Sequence, residues 1–440
     1  MSRCGVLRWH HSVLAVIVLV ALGAIMASCQ PAGEEAPPAL NAPLLPLELT
    51  NAPHDRWTRF RGPVGSGVAP AADLPAEWNA ETGQNILWRT RLPLPGANSA
   101  IVWGDRLFIT GADERSREVY CLDAHTGEII WTRPIAEEWT QAPRIHGMTG
   151  YAAPTGCTDG EHIYQSFPTG HVVALDFDGE LLWERHFDFS HDIYGRATSL
   201  VLHEGLLIVQ IDLGKPDIGR SHMLALDASD GETVWRVERP VQGSWTTPIV
   251  IDTGERTELI TSAKPWVIAY NPATGEEYWR VRCIEGDSAP SPIYASGRIY
   301  VANIYAELTA IVPGGSGDVT RTMVSWSRAG QLPDMTSPLS DGRLVWTLST
   351  SGMLGCWDAV TGEPQYQQRL PGRFRSSPSL AGDLIYLFSE AGEGIVVSAG
   401  REFEQIATSS LGERTYSSPA FAHGRMYVRG TEHLFCIGER

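Results

Sequence analysis

The 440-residue chain is poor in lysine and in helical patterning, and each shortage excludes a class of protein. Lysine occurs only at positions 215 and 264, the arginines are scattered and the formal net charge is −17, so there is no basic patch of the kind that binds nucleic acid. No long amphipathic helical pattern separates the strand-like segments. No apolar run reaches the roughly 20 residues that a transmembrane helix needs.

Cysteine usage gives no sign of a disulfide framework or a metal motif. Of the seven cysteines, five lie in the body of the chain: Cys121, Cys157, Cys283, Cys356 and Cys436. The sequence has no CxxC pair, no zinc-type Cys/His spacing and no CxxCH haem motif. Three of the five occupy repeat positions where other copies have alanine, which indicates small buried side chains. The sequence does not exclude a disulfide bond between two of these five cysteines.

The N-terminus is typical of an export signal. Arg3 and Arg8 precede an apolar run over residues 13–25, and the sequence MASC at 26–29 follows. These four residues resemble a bacterial lipobox, with Met where Leu is usual, and predict cleavage before a lipid-modified Cys29; an ordinary signal peptide is the alternative. Cleavage removes two positive charges and takes the net charge from −17 to −19. We expect an exported protein of the periplasm or cell envelope, anchored to the membrane through Cys29.

Composition divides the chain into four parts. Residues 1–28 are the predicted signal peptide, and the Pro/Ala-rich residues 29–55 suit an extended tether. Residues 56–84 are predicted to be an N-terminal cap that packs over a blade. Their GPVGSG stretch lacks the lysine and the strand-then-helix context of a phosphate-binding loop. Residues 85–440 contain the repeats.

One phrase recurs along the repeats: LDAHTGEIIW at 122–131, ALDFDGELLW at 174–183, ALDASDGETVW at 225–235 and AYNPATGEEYW at 269–279. The four terminal tryptophans stand 52, 52 and 44 residues apart, the range of a propeller blade. The Asp and Gly make a tight turn, and the Trp is predicted to dock between neighbouring blades. The predicted docking residues are Trp88, Trp131, Trp183, Trp235, Trp279 and Trp326.

A second landmark, a small residue or Pro before an apolar run, sets the number of blades. It occurs eight times, from NSAIV at 98–102 to YSSPAF at 416–421. The last copy ends after about three strands, and the orphan strand at 85–92 supplies the fourth. The sequence therefore predicts an all-β, eight-bladed propeller of four-stranded blades, closed by its N-terminal strand.

The unit Ala-x-Asp-x-x-Thr-Gly-x-x-x-Trp, at 121–131, 225–235 and 269–279, resembles the tryptophan-docking motif of pyrroloquinoline quinone (PQQ)-like propeller repeats. That superfamily includes quinoprotein alcohol dehydrogenases and BamB-like assembly lipoproteins. WTRFRGPVGSGV at 57–68, with LPAEW at 74–78, resembles the N-terminal signature of secreted BamB-like proteins. The resemblance implies the fold, and it leaves either a scaffold or a calcium- and PQQ-dependent dehydrogenase as the function.

Candidate site residues come from the segments where the phrase is absent. The third residue upstream of each landmark is expected at the channel mouth, which gives Asn98, Tyr151, Arg196, Trp245, Ala289, Met335, Arg375 and Tyr416. None of these eight residues is a carboxylate, although Asp287 and Asp334 lie close enough in sequence for their side chains to reach the channel mouth. Two long loops add Arg144, His146, His191, Asp192 and Tyr194 on the same face. A His beside an Asp suggests a metal or general-base site, but solvated loop histidines are the favoured interpretation.

We therefore expect a non-catalytic, extracytoplasmic, monomeric scaffold that binds a protein, peptide or carbohydrate through the mouth face. Exposed aromatic residues and arginine are the usual anchors of interfaces. No catalytic residue, metal ligand or cofactor is assigned. The alternative is a PQQ/calcium-dependent quinoprotein dehydrogenase, or another cofactor-binding enzyme, that uses the same mouth.

Overall fold

The computed structural model describes residues 53–69, 73–135, 145–147, 149–188, 192, 194–215 and 219–439. These residues form 34 β-strands and no helix, and nothing in them has the length and apolarity of a membrane-spanning helix. The predicted signal peptide, the lipidation site Cys29 and the loop residues Arg144 and His191 lie outside the described residues.

Two short strands precede the first blade, β1 (Arg56–Trp57) and β2 (Ile86–Arg91). Blade 1 contains β3 (Ile101–Trp103), β4 (Arg106–Ala112), β5 (Arg117–Asp123) and β6 (Ile129–Pro134), with β1 added to β3. Blade 2 contains β7 (Cys157–Thr158), β8 (His162–Ser166), β9 (His171–Asp176) and β10 (Leu181–His186). Blade 3 contains β11 (Val201–His203), β12 (Leu206–Ile211), β13 (His222–Asp227) and β14 (Thr233–Glu238).

Blade 4 contains β15 (Ile249–Asp252), β16 (Thr257–Ala263), β17 (Trp266–Tyr270) and β18 (Glu277–Arg282). Blade 5 contains β19 (Ile293–Ala295), β20 (Arg298–Val301), β21 (Leu308–Ile311) and β23 (Val324–Arg328), while β22 (Gly317–Asp318) pairs with β18 of blade 4. Blade 6 contains β24 (Leu339–Ser340), β25 (Leu344–Leu348), β26 (Met353–Asp358) and β27 (Pro364–Arg369). Blade 7 contains β28 (Ser379–Ala381), β29 (Leu384–Phe388), β30 (Glu393–Ser398) and β31 (Gln405–Ser410). Blade 8 contains β32 (Ala420–Ala422), β33 (Arg425–Arg429), β34 (His433–Ile437) and β2.

Closure of the ring follows the prediction. Strand β2 pairs antiparallel with β34, with Arg89 opposite Phe435 and Arg91 opposite His433, so the first and last segments share one blade. This pairing removes the open sheet edge that the three-stranded C-terminal segment would otherwise expose. The prediction of an eight-bladed, all-β propeller closed by its N-terminal strand is confirmed.

Strand burial explains why these segments form blades. The middle strands β4 and β9 are buried along nearly their whole length, because both faces of a blade are covered by neighbouring blades. The outermost strand β6 instead alternates between half-buried and exposed positions, which is the pattern of a strand with one solvent-exposed face. Burial on both faces requires the continuous Val, Ile, Leu and Phe runs that the sequence shows.

The tryptophan that ends each repeat phrase donates its indole N–H to a turn of the following blade. Trp88 bonds the carbonyl oxygen of Ala124 at 3.2 Å, and Trp183 bonds that of Ala228 at 2.9 Å. Equivalent bonds join Trp131 to Phe177, Trp235 to Pro272 and Trp326 to Ala359. The turn glycine packs against the indole: Gly231 has a φ of +73°, and an added Cβ there would lie 2.8 Å from Trp183. The phrase thus links neighbouring blades.

Trp279 departs from this pattern. Its indole N–H donates to the buried carboxylate of Glu258 in its own blade at 2.9 Å, and that carboxylate also accepts a 2.8 Å bond from Arg256. The next blade has the degenerate sequence PGGSGDV in place of the Asp-Thr-Gly turn. Strand β22 pairs beside Trp279 there, so the usual acceptor of the indole N–H is replaced.

The five body cysteines are free, and four of them are buried. Burial raises the pKa of the Cys283 thiol to about 12 and that of Cys121 to about 11. Because the thiolate is the reactive form, these side chains behave as small apolar groups.

Candidate functional site

A ring of hydroxyl groups lines the central channel, one from each blade. The backbone N–H of each member donates to the side-chain hydroxyl of the next blade at 2.9–3.0 Å, through seven successive bonds. The Ser99 hydroxyl closes the circle by donating to the carbonyl oxygen of Ser418 at 2.7 Å. The members, in chain order, are Ser99, Thr155, Ser199, Thr247, Ser291, Ser337, Ser377 and Ser418. This hydroxyl ring sets the register in which the eight inner strands begin.

The residues that line the mouth stand two positions before the hydroxyl ring. They enclose a cavity of about 150 Å³, and they are Ala97, Ala153, Ala197, Trp245, Ala289, Met335, Arg375 and Tyr416. Five of the eight predicted mouth residues, including Trp245, Arg375 and Tyr416, therefore line the cavity. The other three predictions were out of register, because blades 1 and 3 lack the landmark Pro, and Pro154 of blade 2 stands before the ring hydroxyl of Thr155, whereas the Pro of the later copies follows it.

Two of those three residues are buried in structural roles. The Asn98 amide donates to the carbonyl oxygens of Thr110 at 3.0 Å and Ala152 at 3.1 Å. Arg196 is 3% exposed, its Nε donates to the carbonyl oxygen of Thr198 at 3.4 Å, and burial lowers the pKa of its guanidinium to about 10. Neither side chain is presented to a ligand at the mouth.

The third residue, Tyr151, belongs to a larger groove on the mouth face. This groove has a volume of about 550 Å³ and extends between blades 8, 1 and 2. Tyr151 and Tyr416 line it together with Asp113, Glu114 and Arg115. Tyr416 lines both the groove and the central cavity, so the two are continuous at this side chain.

The described part of the two long loops packs beside Trp245. The Tyr194 ring meets the Trp245 ring edge-on with centroids 5.0 Å apart, and His146 lies 5.4 Å from Tyr194. The Trp245 indole N–H donates to the Gly195 carbonyl oxygen at 3.0 Å. Burial raises the pKa of the Asp192 carboxyl. The structure thus brings predicted residues from both loops into one aromatic cluster.

Three arginines share one carboxylate at the other side of the mouth. The Glu390 carboxylate lies 2.8 Å from the guanidinium group of Arg375, 3.5 Å from that of Arg373 and 3.7 Å from that of Arg414. The guanidinium carbons of Arg375 and Arg414 lie 5.2 and 5.5 Å from the centroid of the Tyr416 ring. This group, the arginine cluster, carries two unbalanced positive charges on a chain whose net charge is −17. Sequence reasoning found only Arg375, because Glu390 and Arg414 come from other loops and reach it only in the folded ring.

The N-terminal segment fills the channel below the mouth. Phe60 lines the central cavity, and β1 pairs with β3 of blade 1. Arg59 donates to the carbonyl oxygen of Pro248 at 3.0 Å in blade 4, while Arg61 donates to those of Pro338 at 2.6 Å and Pro378 at 3.3 Å in blades 6 and 7. Burial lowers the pKa of Arg59 to about 10 and that of Arg61 to about 9. Residues 56–69 therefore form a plug shared by several blades. The rest of the predicted cap packs on one blade, blade 7, where the Trp78 ring lies against those of Tyr386 and Phe388.

Sequence comparison agrees with the repeat pattern. The family model described as outer membrane protein assembly factor BamB matches residues 76–186, 139–248, 219–336 and 320–433. The chain belongs to the BamB family. The predicted PQQ-like, BamB-like resemblance is thereby confirmed.

Relatives of this BamB-family chain include a dehydrogenase and a BamB. It is 23% identical over 196 residues to outer membrane protein assembly factor BamB of Alkalilimnicola ehrlichii (strain ATCC BAA-1101 / DSM 17681 / MLHE-1), over 44% of the chain and 48% of that protein. It is 24% identical over 376 residues to the polyvinylalcohol dehydrogenase of Sphingopyxis sp. (strain 113P3), which covers 73% of the chain and 54% of that protein. The chain spans about half the length of the curated relatives it matches.

Solved structures share the architecture. BamB from Moraxella catarrhalis matches with a TM-score of 0.59 and 16% identity, over 81% of this chain and 97% of that one. Quinohemoprotein alcohol dehydrogenase from Comamonas testosteroni matches with a TM-score of 0.66 and 12% identity, over 88% of this chain and 81% of that one. At these identities the likeness shows the fold alone.

The mouth of this BamB-family chain does not fit a calcium-bound quinone. Calcium takes six to eight oxygen ligands, usually including carboxylates, and none of the described residues lining the central cavity is acidic. The nearby carboxylates are engaged: Glu390 by the arginine cluster, Asp287 by Gln242 at 3.0 Å, and Asp334 by the Thr350 hydroxyl. The cavity of about 150 Å³ is also smaller than the roughly 300–1,000 Å³ of typical small-molecule sites.

Proposed function

We propose that this BamB-family propeller is a non-catalytic scaffold of the cell envelope that binds an extended polypeptide with acidic side chains on its mouth face. The observation that carries the proposal is the continuity of the arginine cluster with the 550 Å³ groove through Tyr416. The plug of residues 56–69 fills the channel below, which supports a surface-binding role over one that uses the channel.

Charge supports an acidic partner at one end of this surface. Glu390 neutralises one of three guanidinium groups, and Arg373 and Arg414 keep 65% and 62% of their side chains exposed. Arginine forms bidentate bonds with carboxylates and stacks on aromatic rings, and both features are available beside Tyr416. We therefore place the acidic end of the partner at the arginine cluster.

The groove supports an extended chain at the other end. Tyr151 and Tyr416 supply flat apolar faces, and the groove between blades has room for side chains projecting from a peptide backbone. Aromatic residues and arginine are the side chains most enriched at binding hot spots.

The experiment measures fluorescence anisotropy of a labelled 12-residue peptide with four Glu at one end and alternating Leu and Ser along the rest, because Asp113 and Glu114 line the groove. A peptide with Lys in place of Glu serves for comparison. We expect the acidic peptide to bind preferentially, and the Arg373→Glu/Arg414→Glu variant to lose at least tenfold in affinity. The control Arg91→Glu/Arg236→Glu changes the charge equally on outer strands and is expected to bind like the parent. Equal affinities for both peptides, or equal losses in both variants, would contradict the proposal. Binding of an oligosaccharide in place of either peptide would assign a carbohydrate partner.

A dehydrogenase is the second candidate, and the name of the Sphingopyxis relative is what favours it. Titration of the purified protein with PQQ and calcium, followed by absorbance and thermal unfolding, separates the two functions. The scaffold predicts neither a saturable quinone spectrum nor a shift of the unfolding midpoint. A stoichiometric quinone complex would assign the mouth to an enzyme.

Export and lipid anchoring through Cys29 complete the proposal, and the lipobox-like sequence MASC supports them. Mass spectrometry of the membrane fraction is expected to find a lipid-modified N-terminal Cys29. The Cys29→Ser variant is expected to be released from the membrane. An unmodified mature terminus would assign an ordinary signal peptide instead.

A further inference from the structure

Three metal-ligating side chains meet on the face opposite the mouth, away from the groove and the arginine cluster. They are Asp105, His125 and His423, and one ligand atom from each lies within 4.8 Å of the others. We propose that this group, the seam triad, binds a divalent transition-metal ion such as Zn²⁺.

The seam triad bridges the first and last blades. Asp105 lies in the turn between β3 and β4, and His125 lies in the turn between β5 and β6, both in blade 1. His423 lies in the turn between β32 and β33 of blade 8. A bound ion would therefore join the two blades between which the ring closes.

The turn that carries His125 is held by side-chain hydrogen bonds. The Asp123 carboxylate accepts bonds from the backbone N–H groups of His125 and Thr126, each at 2.8 Å. The Asp105 backbone carbonyl accepts the N–H of Ala124 at 2.9 Å, and its carboxylate lies 2.8 Å from His125 Nε2. The fold of blade 1 thus already brings two of the three ligands, Asp105 and His125, within hydrogen-bonding distance of each other.

His423 is fixed from the other side of the seam. Its φ is +56°, and its backbone N–H donates to the carbonyl oxygen of His54 at 2.6 Å. The imidazole Nε2 lies 2.9 Å from the carbonyl oxygen of Gly104, and its ring centroid lies 4.8 Å from that of His125. A left-handed backbone is uncommon for a residue with a Cβ, so this turn presents the imidazole in an unusual way.

The ligand set selects the class of ion. Two imidazoles and one carboxylate suit Zn²⁺, Cu²⁺ or Ni²⁺, whereas Ca²⁺ and Mg²⁺ prefer oxygen ligands throughout. Ligand atoms around a tetrahedral ion at about 2 Å stand about 3.3 Å apart, so small side-chain rotations complete the site. Asp105 and His125 are exposed and free to make such rotations, and the fourth position is left to water.

Isothermal titration of the full chain with ZnCl₂ tests the proposal. His423→Asn is the main variant, because Asn tolerates positive φ, and His125→Gln is the second. The control is His162→Gln, since His162 also pairs with a carboxylate, Asp159 at 3.3 Å, in a turn of blade 2. His10 and His11 are present in every variant, so the readout is the difference from the parent chain.

We expect one site of micromolar affinity that weakens at least tenfold in His423→Asn and His125→Gln and is unchanged in His162→Gln. Zn²⁺ is also expected to raise the thermal midpoint of the parent and the control, because binding only to the folded ring stabilises it. Absence of zinc binding by the parent overturns the proposal. So does unchanged affinity in both triad variants.

Discussion

Arg429 in the last blade donates a 2.8 Å hydrogen bond to the side-chain oxygen of Asn98 at the start of the first, across 331 positions of sequence. Arg429 also donates to the carbonyl oxygens of Thr110 and of Leu94, the latter at 3.1 Å. Burial lowers the pKa of its guanidinium to about 10, and these three acceptors are neutral oxygens. Closure of the ring therefore includes a buried cation as well as the pairing of β2 with β34.

Replacing Arg429 by Ala is expected to destabilise the ring. The substitution leaves the buried side-chain oxygen of Asn98 and the partly buried carbonyl oxygen of Leu94 without this donor, whereas the Thr110 carbonyl keeps its bond from Asn98. Each unsatisfied buried group costs about 1–3 kcal/mol. We expect a loss of about 3 kcal/mol in the free energy of unfolding, measured with urea. The exposed Arg321→Ala serves as control and is expected to change stability by less than about 0.5 kcal/mol. Similar effects of both substitutions would argue against a role for Arg429 in closure.

The tryptophan docking between blades can be tested with two glycines that differ in their surroundings. Gly231 and Gly254 have φ values of +73° and +81°. A Cβ at Gly231 meets the Trp183 indole at 2.8 Å, while a Cβ at Gly254 meets nothing within 4 Å. Gly254→Ala is expected to cost about 1 kcal/mol from backbone strain alone. Gly231→Ala is expected to cost about 1–3 kcal/mol more, because it displaces the indole. Equal midpoints in thermal unfolding would show that the indole is not held as described.

His171 predicts a dependence of stability on pH. Burial, and then the neighbouring Arg117 and His186 side chains, lower the pKa of the His171 imidazole from about 6.5 to about 4. The unfolded chain therefore binds more protons between these values, so stability falls as the pH drops from about 6.5 to about 4, by up to about 3 kcal/mol. His171→Gln is expected to flatten this part of the profile, measured by urea unfolding at each pH. An unchanged slope would assign the pH dependence to other groups.

The body cysteines are expected to resist modification in the folded protein. Burial raises their thiol pKa values, to about 12 for Cys356 and Cys436, so little thiolate is present at pH 8. Ellman's reagent is expected to react with none of the five in native buffer and with all five in urea. Mass spectrometry without reductant is expected to show free thiols. Rapid labelling of Cys283, the one described cysteine of the five that is half-buried, would show that the segment after β18 opens locally.

The repeat phrase and the strand landmarks predicted the fold correctly, because both are local. Asp, Gly and Trp act within one turn and its neighbouring blade, so their spacing counts the blades without any knowledge of the ring. The incomplete last repeat and the orphan strand at 85–92 likewise predicted the pairing of β2 with β34.

The mouth was predicted only in part. Trp245, Arg375 and Tyr416 were found because blades 4, 7 and 8 carry a Pro directly after the ring hydroxyl. Blades 1 and 3 lack this Pro, and in blade 2 it precedes the hydroxyl, so the register was lost there. The hydroxyl ring would have provided the better alignment, since a Ser or Thr occurs at that position in every blade. That regularity is visible in the sequence once the blades are aligned.

The sequence by itself therefore determined the number of blades, their strands and the way the ring closes, since these follow from periodicity and turn chemistry. Only the tertiary structure decided what fills the channel and which surfaces can bind. The plug, the arginine cluster and the seam triad each join residues from different blades. Their members become neighbours only when the ring has closed, and local sequence patterns carry no record of such distances.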